Sequence, residues 1–135
     1  NAPTVDVEGM IAAAKILTAH QDDADFKPTM EALGRVLRIA DKSPQNVAVD
    51  VSLFENSTEK SLHDAVSAVK AHFDAQPSEA NYQALRGLTD VITDYFTETM
   101  IMADDERVRT NRLAELTGLA NLIHQFGDIT AVIVK

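Results

Sequence analysis

Apolar residues in this chain recur at helical spacing almost from end to end. Val7, Met10, Ile11, Ala14 and Leu17 share one face of a 3.6-residue wheel and predict a helix from Val7 to about Gln21. The polar run Gln21-Asp22-Asp23-Ala24-Asp25 closes it, and Asp25 is the expected cap of a second helix with Pro28 in its first turn. Met30, Leu33, Val36, Leu37 and Ala40 carry that helix to about Asp41. A third, from about Asn56 to Ala75, rests on Leu62, Ala65, Val66, Val69 and Phe73, with Gln76-Pro77 as its stop. Ser78 caps a fourth, whose stripe Tyr82, Leu85, Leu88, Ile92 and Tyr95 runs to about Thr99; Gly87 and Thr89 mark a kink or break in its middle. The last helix starts at Asp104 as expected N-cap, carries Val108, Leu116, Leu119, Ile123 and Phe126, and ends at Gly127.

Two stretches fall outside this period. Val47 to Val51 is β-branched but has no second strand to pair with, so it reads as extended linker. Ile129 to Val134 is apolar and leaves three readings open: a frayed tail, a helix turn, or an edge that meets more protein. The pattern predicts an all-α fold, a single bundle of about five helices over residues 7–135. Residues 1–6 read as a linker or the remnant of a cut, and 42–52 as a second linker candidate. The chain has 135 residues, enough for one domain, and opens on Asn rather than Met, which reads as a fragment of something longer.

Composition narrows the chemistry. With no cysteine there are no disulfides or thiolate metal sites, and a reducing, cytoplasmic location is the expectation. No apolar run reaches the length of a membrane span. The net charge of −9 argues against non-specific nucleic-acid binding, so any such role requires a local basic patch. His20, His63, His72 and His124 form no HExxH and no i,i+4 pair. His63-Asp64 is half of a metal phosphohydrolase dyad and reads better as a solvated helix face. Asp22, Asp23 and Asp25 fail the calcium-loop pattern, because Lys27 and Pro28 follow and the glycine is missing. With no glycine-rich phosphate loop and no GxSxG, no catalytic residue, metal ligand or cofactor site is expected.

The basic residues are more informative. Arg109 and Arg112 fall inside the apolar arc of the last helix, where a cation needs a carboxylate or phosphate partner. Asp94, Glu98 and Asp105 are the candidates within the chain, and a ligand role is the alternative. Arg107 and Asn111 lie beside them, of the residue types that meet phosphates and base edges. Arg35, Arg38 and Lys42 form a second cluster at the end of helix two, where compensation of the helix dipole is the plainer reading. Met100 and Met102 are expected as core fillers, with stacking on a base as the alternative.

The string DYFTETMIMADDERVRTNRLAEL resembles the C-terminal signature of the β subunit of bacterial heterotetrameric glycyl-tRNA synthetase. In that family an aromatic pair precedes V-M-V-M-A-acid-acid and then L-R-x-N-R-L. The match falls on Tyr95, Phe96, Met100, Met102, Ala103, Asp104, Asp105, Arg109, Asn111, Arg112 and Leu113. Leu53-Phe54-Glu55 with Glu59-Lys60 and Leu62 resembles the family's L-F-E-x-x-x-E-K-x-L, and Asp25-Phe26 with Arg35-Val36 gives a looser match. Where the family has Arg-Val-x-Asn, this chain has Arg38 in place of the Asn. The resemblance implies an all-α anticodon-binding domain related to that of arginyl-tRNA synthetase. It also implies the glycine tRNA, the α subunit and the remainder of β as partners, with ATP and magnesium used by the parent enzyme outside this chain. Arg35, Arg38, Lys42, Arg107, Arg109, Asn111 and Arg112 are the expected tRNA-binding residues. The rival expectation is a helical interaction module packed against the rest of its own subunit, with no membrane partner.

Overall fold

The computed structural model describes residues 7–129; the expected linker 1–6 and the tail beyond Ile129 lie outside the described residues. The chain forms α1 (Val7–His20), α2 (Phe26–Lys42), a 3-10 turn (Val51–Leu53), α3 (Ser57–Ala71), α4 (Glu79–Arg86), α5 (Thr89–Glu98) and α6 (Glu106–Phe126), and no strand occurs among the described residues. The all-α reading holds. The fourth expected helix is divided in two, which raises the count to six.

The division has a local cause. Gly87 ends α4, its N–H bonding back to the Gln83 carbonyl, and the Thr89 hydroxyl donates to the Arg86 carbonyl at 2.8 Å. The apolar stripe survives the break: Tyr82, Leu85, Leu88, Ile92 and Tyr95 are all buried. They surround α6, whose Leu116, Leu119, Ile123 and Phe126 are completely enclosed, and α2 supplies Met30, Leu33, Val36, Leu37 and Ala40 to the same core. Leu62 of α3 is buried there, with Val66, Val69 and Phe73 packed at its margin.

Three helix ends differ from expectation. Asp105, not Asp104, caps α6, its carboxylate accepting from the backbone N–H groups of Arg107 and Val108. Asp25 makes no side-chain cap on α2; its carboxylate takes the Arg86 guanidinium at 2.9 Å and so ties the start of α2 to the end of α4. Helix α3 stops at Ala71, before Gln76-Pro77, because the buried Asn81 side chain takes the next backbone groups. Asn81 Oδ1 accepts from Asp74 N–H at 2.8 Å, and its amide donates to the Asp74 and Gln76 carbonyls. Helix α3 itself opens on a complete capping box between Asn56 and Glu59.

Helix α1 turns a different face inward than the stripe suggests. Leu17 enters the core as expected, but Met10 and Ile11 are 56% and 49% exposed, Ala14 is exposed as well, and Ala13 enters the core instead. The helix is apolar over most of its circumference, so the period alone does not choose its face. Close approach chooses it. Gly127, at the end of α6 with φ of 152°, lies so near α1 that an added Cβ would stand 2.7 Å from that of Ala13.

Candidate nucleic-acid interface

The first turns of α6 draw three segments together, and Arg112 is the centre. Its side chain is only 5% exposed. Nε donates to Glu59 at 3.2 Å, Nη2 to Glu55 at 3.0 Å and to Glu59 at 3.3 Å, and Nη1 to the Met100 carbonyl at 2.6 Å. A guanidinium inside the apolar arc thus has its partners, but they are Glu55 and Glu59, not Asp94, Glu98 or Asp105. Burial works against the Arg112 charge; hydrogen bonding and the charge of Glu59, with Glu55 behind it, more than offset this and raise its pKa. Glu59 is fully buried and serves α3 as well, since the N–H groups of Glu55 and Asn56 donate to it.

The other residues of the signature are divided between inside and outside. Asn111 is buried and clamps the backbone of Asp50, accepting from its N–H at 2.7 Å and donating to its carbonyl at 3.0 Å. Nearly two turns further on, the Thr117 hydroxyl accepts from Gln45 N–H at 3.0 Å. The expected linker 42–52 is therefore the last residue of α2, a loop over 43–50 pinned to α6, and the start of the 3-10 turn. Arg109 is half-buried and donates to the Ala103 carbonyl at 2.9 Å. Together Arg109 and Arg112 hold the turn between α5 and α6 from below, and that turn lifts Met100 and Met102 to 70% and 60% exposure. Neither methionine fills the core.

Arg107 is exposed and lines a hollow of about 290 Å³ with Asp50, Leu53, Thr110 and the edge of Asn111. Arg35, Arg38 and Lys42 are exposed on α2. The Arg35 guanidinium stands 4.3 Å from the Phe96 ring centroid, in a separate hollow between α2 and α5. Of the seven expected binding residues, the structure thus leaves Arg35, Arg38, Lys42 and Arg107 at the surface. Arg109 is half-buried on the Ala103 carbonyl, and Asn111 and Arg112 are buried and bonded to the chain's own groups.

Glu115 is not among the residues expected at the site. It sits on α6 one turn past Arg112, 3% exposed, with no well-formed hydrogen bond to either carboxylate oxygen and only the Tyr95 hydroxyl close by. Burial pushes its pKa up to about 8, with the nearby charge of Glu59 adding to the shift, so the group is mostly protonated at neutral pH. Its only visible signal in the sequence was an acid between Leu113 and Leu116, on the arc that also carries Arg112. His63 and Asp64 do not act as a pair: Asp64 takes Lys60 at 2.6 Å and His63 meets the Phe54 ring edge-on. His20 bridges Asp23 and Glu79, and the hydrogen bond to Glu79, then that to Asp23, raises its pKa. Among the described residues no group of three or more His, Asp or Glu gathers as a metal site. No helix there is long and apolar enough to cross a membrane.

What these features define is an all-α bundle with a structural polar junction and exposed cations on two helices. No family model matches the chain. Its relatives are more specific. It is 58% identical over 130 residues to the glycine–tRNA ligase β subunit of Lacticaseibacillus casei strain BL23. It is 47% identical over 133 residues to that of Levilactobacillus brevis, and 44% over 134 to that of Lactiplantibacillus plantarum. Each comparison covers 96% of this chain and 19% of the relative. The chain is a homologue of one segment of the glycine–tRNA ligase β subunits, spanning about a fifth of their length.

Proposed function

We infer that this bundle is the tRNA-binding, anticodon-contacting module of a glycine–tRNA ligase β subunit. In this reading it works in the cytoplasm beside the remainder of β and the α subunit, and supports attachment of glycine to tRNA without supplying the reaction centre. The observation that supports the reading is the match to those β subunits across 96% of the chain. The exposed Arg107, Arg35, Arg38 and Lys42 are its cationic contacts. A domain of net charge −9 binds through a few splayed bases and a few phosphates, not through a broad basic face. The test is a titration of this chain with glycine tRNA against a tRNA altered only in the anticodon, at fixed salt. Preference for the first supports the reading, and equal or absent binding ends it. Arg107→Ala is expected to flatten the salt dependence by about 0.7 in log–log slope if it meets one single-stranded phosphate.

A second reading, a docking module for the rest of β, is favoured by one observation: Met10 and Ile11 leave apolar surface on α1. Protection of α1 amides from hydrogen exchange in a full-length β subunit, compared with this chain alone, is the readout that favours it.

A further inference from the structure

A hollow of about 620 Å³ opens between the 3-10 turn and the first turns of α3. Its volume is within the roughly 300–1,000 Å³ span of small-ligand pockets. Phe54 and His63, both half-buried, form its aromatic wall, with ring centroids 5.8 Å apart and planes at 66°. Val51, Glu55, Asn56, Ser57, Lys60 and Asp64 complete the lining. The wall is braced from behind. Arg112 holds the Glu55 carboxylate at 3.0 Å, and Glu55 N–H donates to the buried Glu59 at 2.7 Å. The Phe54 N–H bonds back to the Val51 carbonyl, which closes the 3-10 turn. An aromatic wall fixed this way is suited to stacking a flat ring without reorganising.

The charges decide what kind of ring. Two carboxylates line the hollow, each paired through one oxygen, Glu55 with Arg112 at 3.0 Å and Asp64 with the one ammonium, of Lys60, at 2.6 Å, which leaves their other oxygens to accept. A phosphate is disfavoured there. A ring edge bearing N–H donors is favoured, since a carboxylate accepts from an exocyclic amino group. We propose that the Phe54–His63 hollow takes one unpaired nucleobase of a bound RNA, a base carrying an exocyclic amino group, with Arg112 as a positioning residue for the wall. The proposal rests on the RNA-binding reading above and places the base contact away from the exposed arginine of α6. Backbone contacts belong to cations such as Arg107, and the base is read on α3.

The experiment titrates this chain and its variants with a glycine tRNA transcript at fixed salt, recording the melting temperature of each. Loss of one stacked base corresponds to about a 5- to 150-fold weaker affinity for Phe54→Ala at unchanged melting temperature. His63→Ala, on the partly open face of α3, gives a smaller loss and serves if Phe54→Ala fails to fold. Titration with cytidine monophosphate shifts the Phe54 and His63 ring proton resonances, and uridine monophosphate, which lacks the amino group, does so several-fold more weakly. Wild-type affinity in both variants, alongside weakened binding in Arg107→Ala, overturns the hollow and leaves the RNA-binding reading standing. Equal response to the two nucleotides overturns the amino-group selection. No tRNA binding by the unaltered chain overturns both readings together.

Discussion

The two halves of α6 solve the same burial problem by opposite means. From Leu116 to Phe126 the helix is held by shape: apolar side chains from α2, α4 and α5 close around it, and Gly127 lets α1 pass at the end. From Val108 to Glu115 it is held by polar groups that have no water to turn to. Arg112, Asn111 and Glu115 are all buried; the first two are bonded to groups far back along the chain, while the third has only the Tyr95 hydroxyl close by. Apolar packing tolerates small errors of partner, whereas a buried charge does not. The first half is therefore the place where single substitutions cost most.

Substitutions can break that contrast, and the largest effect falls on Arg112. Arg112→Met strands the enclosed Glu59 carboxylate, and the loss is expected at about 3–5 kcal/mol, read as a fall in denaturant midpoint. If Glu59→Gln combined with Arg112→Met recovers a large part of it, the cost lay in the orphaned charge.

Next comes Glu115. Its folded pKa of about 8 is above the ordinary value, so the folded state holds a proton that the unfolded state has released. Stability is then highest below the unfolded value and is lost as pH rises through the folded one, at about 1.4 kcal/mol per pH unit within that window. Glu115→Gln is expected to match the parent near pH 4.5 and to exceed it by a few kcal/mol at pH 8; urea titrations at the two pH values check this. A parallel decline in the variant would mean that the slope originates elsewhere.

In the apolar half, Gly127→Ala meets both the positive φ and the 2.7 Å approach to Ala13, for an expected cost of about 1–3 kcal/mol in thermal unfolding. Ala13→Gly in the same chain relieves the clash and leaves the backbone term, so it restores only part. The smallest effect is Arg107→Ala. This side chain is exposed, so its loss should change stability by no more than about 0.5 kcal/mol, in contrast to its effect on RNA affinity.

These residues also show what the pattern of the chain could and could not carry. The stripe of α2, and the stripe now shared by α4 and α5, were legible because each has one apolar face and one polar face; that of α6 was legible from the spacing of its large apolar residues, although most of that helix is buried. That of α1 was not, because a helix apolar nearly all round takes its orientation from the small residue it must pass. The need of Arg112 for a partner was legible too, since a cation on a core arc is costly wherever it occurs. The identity of the partners was not: Glu55 and Glu59 lie 57 and 53 residues back along the chain, and only folding brings them near. Asn111 carried the residue type of a base reader and became a clamp on a loop. The aromatic wall of Phe54 and His63 was hidden for the same reason. Its edge-on contact crosses the boundary between a 3-10 turn and a helix, where neither period applies.

The pinned loop has a practical consequence. Gln45 and Asp50 are fastened to the same helix, through Thr117 and Asn111, and between the fastenings Asn46, Val47 and Ala48 stand open to solvent. Extra residues inserted after Val47 would bulge outward with both anchors kept, so this short span is where a spectroscopic label or an added segment can be carried without loosening the bundle.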